Sequence, residues 1–106
     1  MVSCGTRVGI FYHRNSVESF NKMMDYFDML YTSTKDNVAS LKRSKSFGTI
    51  ITFKNGDIVE MVGISDNFDN MRGRRYDKVI IDKENISQEE YETIVKPRLI
   101  VNEIFI

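Results

Sequence analysis

The feature that most limits the folds open to this chain is an Asn-Gly pair between two β-prone runs. Residues 49–53 and 57–62 are rich in Ile, Val, Thr and Phe, and Asn55 and Gly56 lie between them. An Asn-Gly pair supplies the positive backbone angles that a tight hairpin turn requires. The pattern therefore predicts two antiparallel strands joined by a short turn.

Upstream of this hairpin the sequence predicts a strand over residues 7–13, a helix and then a loop. Asn15 and Glu18 have the spacing of a capping box at a helix start. Apolar residues then recur at three- and four-residue spacing and gather on one stripe; they are Val17, Phe20, Met23, Met24, Phe27, Leu30 and Tyr31. We expect the stripe to face the core, with an adaptable groove for a partner as the alternative. Residues 32–46 are polar and predict a loop with at most a short helix.

Downstream of the hairpin, an arginine-rich turn leads into an apolar strand that ends in a carboxylate. The strand, residues 78–82, reads Lys-Val-Ile-Ile-Asp. A buried strand with an Asp at its carboxyl end is how an open α/β sheet presents an acid to a ligand or metal ion. Asp82 is therefore a candidate metal ligand.

The remaining sequence predicts a second helix and a last strand. Ser87 and Glu90 repeat the capping-box spacing, and Pro97 ends a helix that runs to about residue 95. The apolar residues 99–101 and 104–106 then predict one more strand. The order strand, helix, hairpin, strand, helix, strand predicts an α/β or α+β fold, with a β-hairpin and two helices packed on one small sheet.

Composition limits the function classes. A chain of 106 residues fits one domain, and its fifteen acidic and fifteen basic side chains cancel, so no overall field draws it to nucleic acid or to an anionic membrane. One cysteine, Cys4, and one histidine, His13, cannot form an internal disulfide or a Cys/His zinc cluster, and we interpret both as bystanders rather than as a nucleophile pair. No window is apolar enough for a membrane helix, and the N-terminal residues lack a secretory signal. These features predict a cytoplasmic protein without a membrane partner.

Taken in order, the segments resemble a P-loop ATPase, most specifically the ATPase domain of a bacteriophage large terminase. The hairpin at residues 49–58 and the Arg-Gly turn at residues 71–77 are similar to those that precede the Walker B strand of this family, which residues 78–82 resemble. Residues 88–99 are similar to the segment that follows it, and residues 9–13 with the first helix resemble the elements upstream of the hairpin. The resemblance covers about residues 7–100. It implies a truncated P-loop ATPase core in which Asp82 would hold the magnesium of a bound ATP.

Two departures from that family argue against ATP hydrolysis by this chain alone. The resemblance places a catalytic Glu directly after Asp82, but Lys83 stands there and Glu84 follows one residue later. An ammonium cannot act as the base, and a shift of one residue along a strand turns a side chain to the opposite face. No Gly-x-x-x-x-Gly-Lys-Ser/Thr phosphate loop occurs, because Ile10 and Phe11 stand where the loop-like residues 4–9 would require Lys and a hydroxyl residue. We therefore expect no cofactor, and Mg-ATP only if another chain supplies a phosphate loop.

Each candidate site also has a structural interpretation. Asp82 could cap the next turn or pair with an arginine instead of binding metal. The turn arginines could contact nucleic-acid or nucleotide phosphates or form ion pairs with nearby aspartates; they are Arg72, Arg74 and Arg75, and the aspartates are Asp66, Asp69 and Asp77. A second basic cluster could touch phosphates or form a solvated face; it consists of Lys42, Arg43 and Lys45.

Three functions follow from these alternatives. The first is a non-catalytic module, a remnant or mimic of a phage or mobile-element ATPase, that binds a host or viral protein. The second is a fragment of a DNA-packaging or helicase-type ATPase, with Asp82 at the magnesium and Glu84 as the base. The third is a small DNA-binding protein that uses the two basic clusters. The sheet edges and the apolar residues 104–106 also allow a homo-oligomer.

Overall fold

A mixed six-stranded sheet forms the centre of the molecule. A computed structural model describes residues 5–44, 48–64 and 75–106. The strands are β1 (Arg7–His13), β2 (Val38–Ser44), β3 (Gly48–Phe53), β4 (Ile58–Ile64), β5 (Tyr76–Ile81) and β6 (Leu99–Phe105). They lie in the order β2-β3-β4-β1-β5-β6. Strands β4, β1, β5 and β6 are parallel, whereas β2 and β3 pair antiparallel with their neighbours. The predicted small α/β fold with one sheet is confirmed.

Helical segments cover the two faces of this sheet. Helix α1 (Val17–Thr34) buries Met23 and Phe27 in a core cluster that also holds Ile10 and Ile80. On the opposite face lies the helical segment 88–98, an α-helical turn (Gln88–Glu90) that widens into a π-helical turn (Tyr91–Val95) and tightens into a 3-10 turn (Lys96–Arg98). Successive side chains along a strand point to opposite faces of the sheet. Residues next to Ile10 on β1 and next to Ile80 on β5 therefore pack in a second core cluster, on the face that the helical segment covers.

The hairpin between β3 and β4 is confirmed. Ile51 pairs with Val59 across the two strands, and Gly56 in the turn has a φ of 95°. Glycine adopts this backbone conformation without strain from a Cβ atom, so Gly56 fixes the turn, whereas Asn55 lacks the positive φ that the Asn-Gly pattern predicts. The capping box at Ser87 and Glu90 and the single last strand are confirmed as well.

Strand β2 was not predicted, because residues 32–46 were expected to form a loop. In the structure a 3-10 turn (Lys35–Asn37) leads into β2, which pairs with β3 and has an irregular register between Val38 and Ser40. Val38 and Leu41 lie half-buried against the α1 core, while Ser40 and Lys42 are exposed. Polar side chains on an edge strand give a loop-like composition, so tertiary pairing overrides the local signal.

The start of α1 differs from the prediction by one residue. Ser16, not Asn15, is the N-cap, and its Oγ accepts a hydrogen bond from the Ser19 N–H at 3.1 Å. The predicted stripe is only partly core-facing: Val17 is 76% exposed and Phe20 38% exposed, whereas Phe27 is fully buried. The first turns of α1 therefore present apolar side chains to solvent.

Candidate functional site

The strand order reverses at the boundary between β1 and β5. From β1 the chain reaches β4 on one side, and it then reaches β5 and β6 on the other. In open α/β sheets, ligands bind in the crevice outside the carboxyl ends of the strands at such a reversal. The carboxyl ends of β1 and β5 are therefore the place to look for a site, and Asp82 directly follows β5 there.

The Asp82 carboxylate is fully buried and is held by groups of the protein itself. Its Oδ1 lies 3.0 Å from Lys22 Nζ and accepts a hydrogen bond from the Glu84 N–H at 3.2 Å. Its Oδ2 accepts a hydrogen bond from Asn85 Nδ2 at 2.7 Å. Asp82 therefore caps the turn after β5, as one of the two structural interpretations predicted, but it pairs with a lysine rather than an arginine.

Lys22 also uses the other two donor positions of its ammonium group. Its Nζ lies 3.3 Å from Glu84 Oε1 and donates to the Ile106 carbonyl oxygen at 2.9 Å. An ammonium has three N–H donors and no acceptor, so these contacts occupy its hydrogen-bonding capacity. Lys22 thus joins α1 to the carboxyl ends of both β5 and β6.

The ionised forms of Lys22 and Asp82 stabilise each other. Burial by itself would raise the pKa of Asp82, but hydrogen bonds from Ser19, Asn85 and Lys22 outweigh it and hold this pKa below its ordinary value. Burial would lower the pKa of Lys22, but the contacts with Asp82 and Glu84 outweigh it and raise that pKa above its ordinary value. Both groups are therefore charged over the whole neutral range.

We expect the free energy of unfolding of Asp82→Asn to fall less steeply than that of the wild type as the pH is lowered. A carboxyl group with a depressed folded pKa contributes stability above its unfolded value near 3.8, and this contribution is lost as pH falls through the lower folded pKa. Each pKa unit of depression corresponds to about 1.4 kcal/mol. Urea unfolding of the wild type and the variant between neutral and strongly acidic pH measures the difference.

The control for this experiment is Asp36→Asn, because Asp36 is exposed. This variant should lose unfolding free energy at acidic pH as the wild type does. If Asp82→Asn and Asp36→Asn gave the same profile, the pairing of Asp82 with Lys22 would not stabilise the fold. The contribution of Lys22 to stability has the opposite pH dependence. It is fully present below pH 10.5 and is lost as pH rises through the raised folded pKa.

The residues around Asp82 do not fit the magnesium ion that the ATPase resemblance implies. A metal ion needs lone pairs directed at it, but Asn85 Nδ2 donates to Oδ2 and the Lys22 ammonium lies against Oδ1. Glu84, the candidate base, is largely exposed and turns towards Lys22. Within the described residues, no three His, Cys, Asp or Glu side chains come together as a metal-binding group. The cation at Asp82 is therefore supplied by the chain.

His13, the last residue of β1, lies beside this network in an open depression of about 580 Å³. Its Nε2 lies 2.9 Å from Glu90 Oε2, and its Nδ1 accepts a hydrogen bond from the Asn15 N–H at 3.2 Å. Burial opposes the charge on Glu90, but hydrogen bonds from Ser87 and the contact with His13 outweigh it and lower the pKa of Glu90. With both ring nitrogens engaged, His13 ties β1 to the helical segment 88–98 and has no lone pair left for a general base.

Only part of each predicted basic cluster falls within the described residues. Arg72 and Arg74 of the turn, with Asp66 and Asp69, lie outside the described residues, as do Lys45 and Cys4. Arg75 is exposed at the amino end of β5. Lys42 and Arg43 lie on β2, and Arg43 pairs with Asp28 at 2.9 Å. Three strands separate β2 from β5, which corresponds to about 19 Å at ordinary strand spacing.

A second buried acid, Glu60, lies on β4 towards the amino ends of the strands. Its Oε1 accepts a hydrogen bond from the Tyr76 hydroxyl at 2.7 Å and pairs with Arg7 Nη1 at 3.0 Å. Asp77 accepts a hydrogen bond from the Arg7 N–H at 2.9 Å, and its alternative pairing with Arg72 or Arg74 falls outside the described residues. These contacts anchor β1 to its neighbours on both sides.

Sequence reasoning placed Asp82 but missed the residues that define its environment. Lys22 lies 60 positions away in the chain, and no local spacing links it to Asp82. Ser19 accepts a hydrogen bond from the His13 N–H at 2.9 Å and donates one to Asp82. A usable signal was the polar pair Ser19 and Lys22, three residues apart on a helix that is otherwise apolar on its inner face.

Comparisons with protein-family descriptions, curated proteins and solved structures gave no significant match to this chain. The resemblance to a phage terminase ATPase therefore stays a prediction. None of the helices in the described ranges combines the length and the apolar character that crossing a bilayer demands.

Proposed function

We propose that this chain is a non-catalytic protein-interaction module, built on an α/β sheet similar to that of a P-loop ATPase, that binds a host or viral protein inside the cell. The observation that carries the proposal is the Lys22 ammonium 3.0 Å from the buried Asp82 carboxylate. In an ATPase of the kind that the sequence resembles, this acid would face the solvated magnesium of the nucleotide. Here an internal cation occupies that position.

Two further observations support binding rather than catalysis. The candidate base Glu84 forms an ion pair with the same ammonium, and both nitrogens of His13 are engaged in hydrogen bonds. At the same edge of the sheet, Val17 and Phe20 present apolar surface to solvent. Exposed apolar residues near a rigid sheet are a common property of protein-binding surfaces.

The first test is thermal unfolding of the purified chain with and without Mg-ATP. A ligand that binds only the folded state raises the melting temperature, by an amount that grows with its concentration over its Kd. We expect no shift from Mg-ATP up to millimolar concentration. A reproducible rise would contradict the proposal and favour the ATPase fragment with a phosphate loop from a second chain.

The second test is co-purification. The tagged chain, expressed in its host cell, should retain one protein at a defined molar ratio, measured by native mass spectrometry after gel filtration. Recovery of the chain with nucleic acid alone, lost on raising the salt concentration, would favour the small DNA-binding protein instead, because phosphate contacts release counterions.

A further inference from the structure

Helix α1 and the end of β1 form a cleft of about 240 Å³ on the carboxyl edge of the sheet, lined by Tyr12, Arg14, Ser16, Val17 and Phe20. Its apolar wall is unusually open for a helix that packs on a sheet, since Val17 is 76% and Phe20 38% exposed. The Tyr12 and Phe20 rings meet edge to face with their centroids 5.2 Å apart. This ring pair gives the wall a fixed shape.

Gly63 on β4 lies against two of the side chains that line the cleft, Tyr12 and Arg14. A Cβ atom at this position would lie 2.5 Å from Arg14 Cγ and 2.9 Å from the Tyr12 hydroxyl oxygen. The absence of a side chain on β4 therefore lets Tyr12 and Arg14 lie directly over the strand. The Arg14 N–H also donates to the Ile64 carbonyl at 2.9 Å, which fixes the backbone that carries this side chain.

Arg14 brings a positive charge to the rim of the apolar wall. Its side chain is exposed, and no carboxylate within the described ranges pairs with its guanidinium. Burial raises the pKa of Tyr12, with the nearby Arg14 acting in the opposite direction, so the phenol stays protonated at neutral pH and can donate a hydrogen bond. The cleft thus combines one apolar wall with two donors for an anionic group.

We propose that the cleft formed by Tyr12, Arg14, Val17 and Phe20 binds a peptide segment of a protein partner in which an apolar side chain lies next to a carboxylate. The apolar side chain packs on Val17 and Phe20, and the carboxylate pairs with the guanidinium fork of Arg14. This inference rests on the proposed function and specifies its binding surface.

A peptide fits the cleft better than a nucleic acid does. The Tyr12 and Phe20 rings already pack edge to face against each other, and the most exposed wall residue, Val17, is aliphatic and offers no ring on which a base could stack. A single cation also supplies little of the counterion release that drives phosphate-backbone binding. An apolar side chain with a neighbouring carboxylate matches both the apolar wall and the cation of the cleft.

The test is selection of a displayed library of random short peptides on the full chain, with an Arg14→Ala chain selected in parallel. We expect the wild type to enrich sequences with Asp or Glu close to Leu, Ile, Val or Phe. A synthetic copy of the enriched peptide should shift the amide NMR signals of residues 12–20. Enrichment of basic peptides, or the same enrichment on both chains, would overturn the inference.

Affinity measurements with that peptide then assign the contacts. Arg14→Ala should weaken binding about tenfold or more, and Arg14→Lys should weaken it less, because the charge remains while the fork is lost. Val17→Ser and Phe20→Ser should each weaken binding by about tenfold. The matched control is Arg75→Ala, an exposed arginine at the amino end of β5, which should bind like the wild type. Melting curves check that each variant is folded.

Two outcomes separate this inference from the function on which it rests. If a co-purified protein partner is retained equally by the wild type and by Arg14→Ala and Phe20→Ser, the cleft assignment is wrong and the interaction module stands. If Mg-ATP raises the melting temperature, the proposed function itself fails. Binding of single-stranded oligo-dT that Arg14→Ala abolishes, without any peptide binding, would replace the peptide with a nucleic acid.

Discussion

Replacing Phe27 with alanine is expected to lower the free energy of unfolding by about 4 kcal/mol. Phe27 is fully buried and belongs to the core cluster that joins α1 to β1, β4 and β5. The truncation removes apolar surface from the core and leaves a cavity that the rigid sheet cannot close. Urea unfolding followed by circular dichroism measures the loss, and an unchanged m value would show that both end states are preserved.

The matched control is Phe20→Ala, two turns earlier on the same helix. Phe20 is 38% exposed, and its ring meets the Tyr12 ring edge to face. We expect this change to cost about 1 kcal/mol or less. Equal losses for the two variants would mean that α1 does not pack on the sheet through the face that holds Phe27.

Replacing Lys22 with methionine is expected to destabilise the fold by about 3 kcal/mol. Methionine keeps the apolar stem but leaves the Asp82 carboxylate, which is fully buried, without its counter-ion. The loss lies at the lower end of the range for a broken buried pair, because the Lys22 side chain is 28% exposed and water reaches its ammonium. Chemical unfolding at neutral pH measures it.

Lys83→Met is the control, since Lys83 is the exposed lysine directly after Asp82 and should tolerate the change within about 0.5 kcal/mol. Adding Asp82→Asn to Lys22→Met should recover part of the lost stability, because no unpaired charge then remains buried. If Lys22→Met and Lys83→Met were indistinguishable, the ion pair would contribute nothing to folding, and the main support for a non-catalytic role would be lost.

The Lys22 network also shows why an acid at the end of a strand does not define a site by its position. Asp82 lies where an open α/β sheet presents a ligand, and it is ionised at neutral pH. What decides its role is the nearest cation. With Lys22 and Asn85 bound to its two oxygens, the carboxylate is used to hold α1 and the turn after β5 together.

Parts of this structure could be predicted because they are encoded within a few neighbouring residues. Gly56 specifies the hairpin turn through its positive φ, and Ser87 and Glu90 satisfy each other's backbone N–H groups at a helix start. The strand before Asp82 is continuous in its apolar character because both of its faces are covered. Each of these signals is local, so it survives without knowledge of the tertiary fold.

The tertiary structure alone decided the rest. Strand β2 exists because β3 offers it hydrogen bonds and α1 covers Leu41, although its own residues are those of a loop. Lys22 meets Asp82, and Tyr12 and Arg14 both pack over Gly63, only because the sheet brings together segments far apart in the chain. Side-chain pairing across such distances depends on the register and the order of the strands, which leave no periodicity in the sequence.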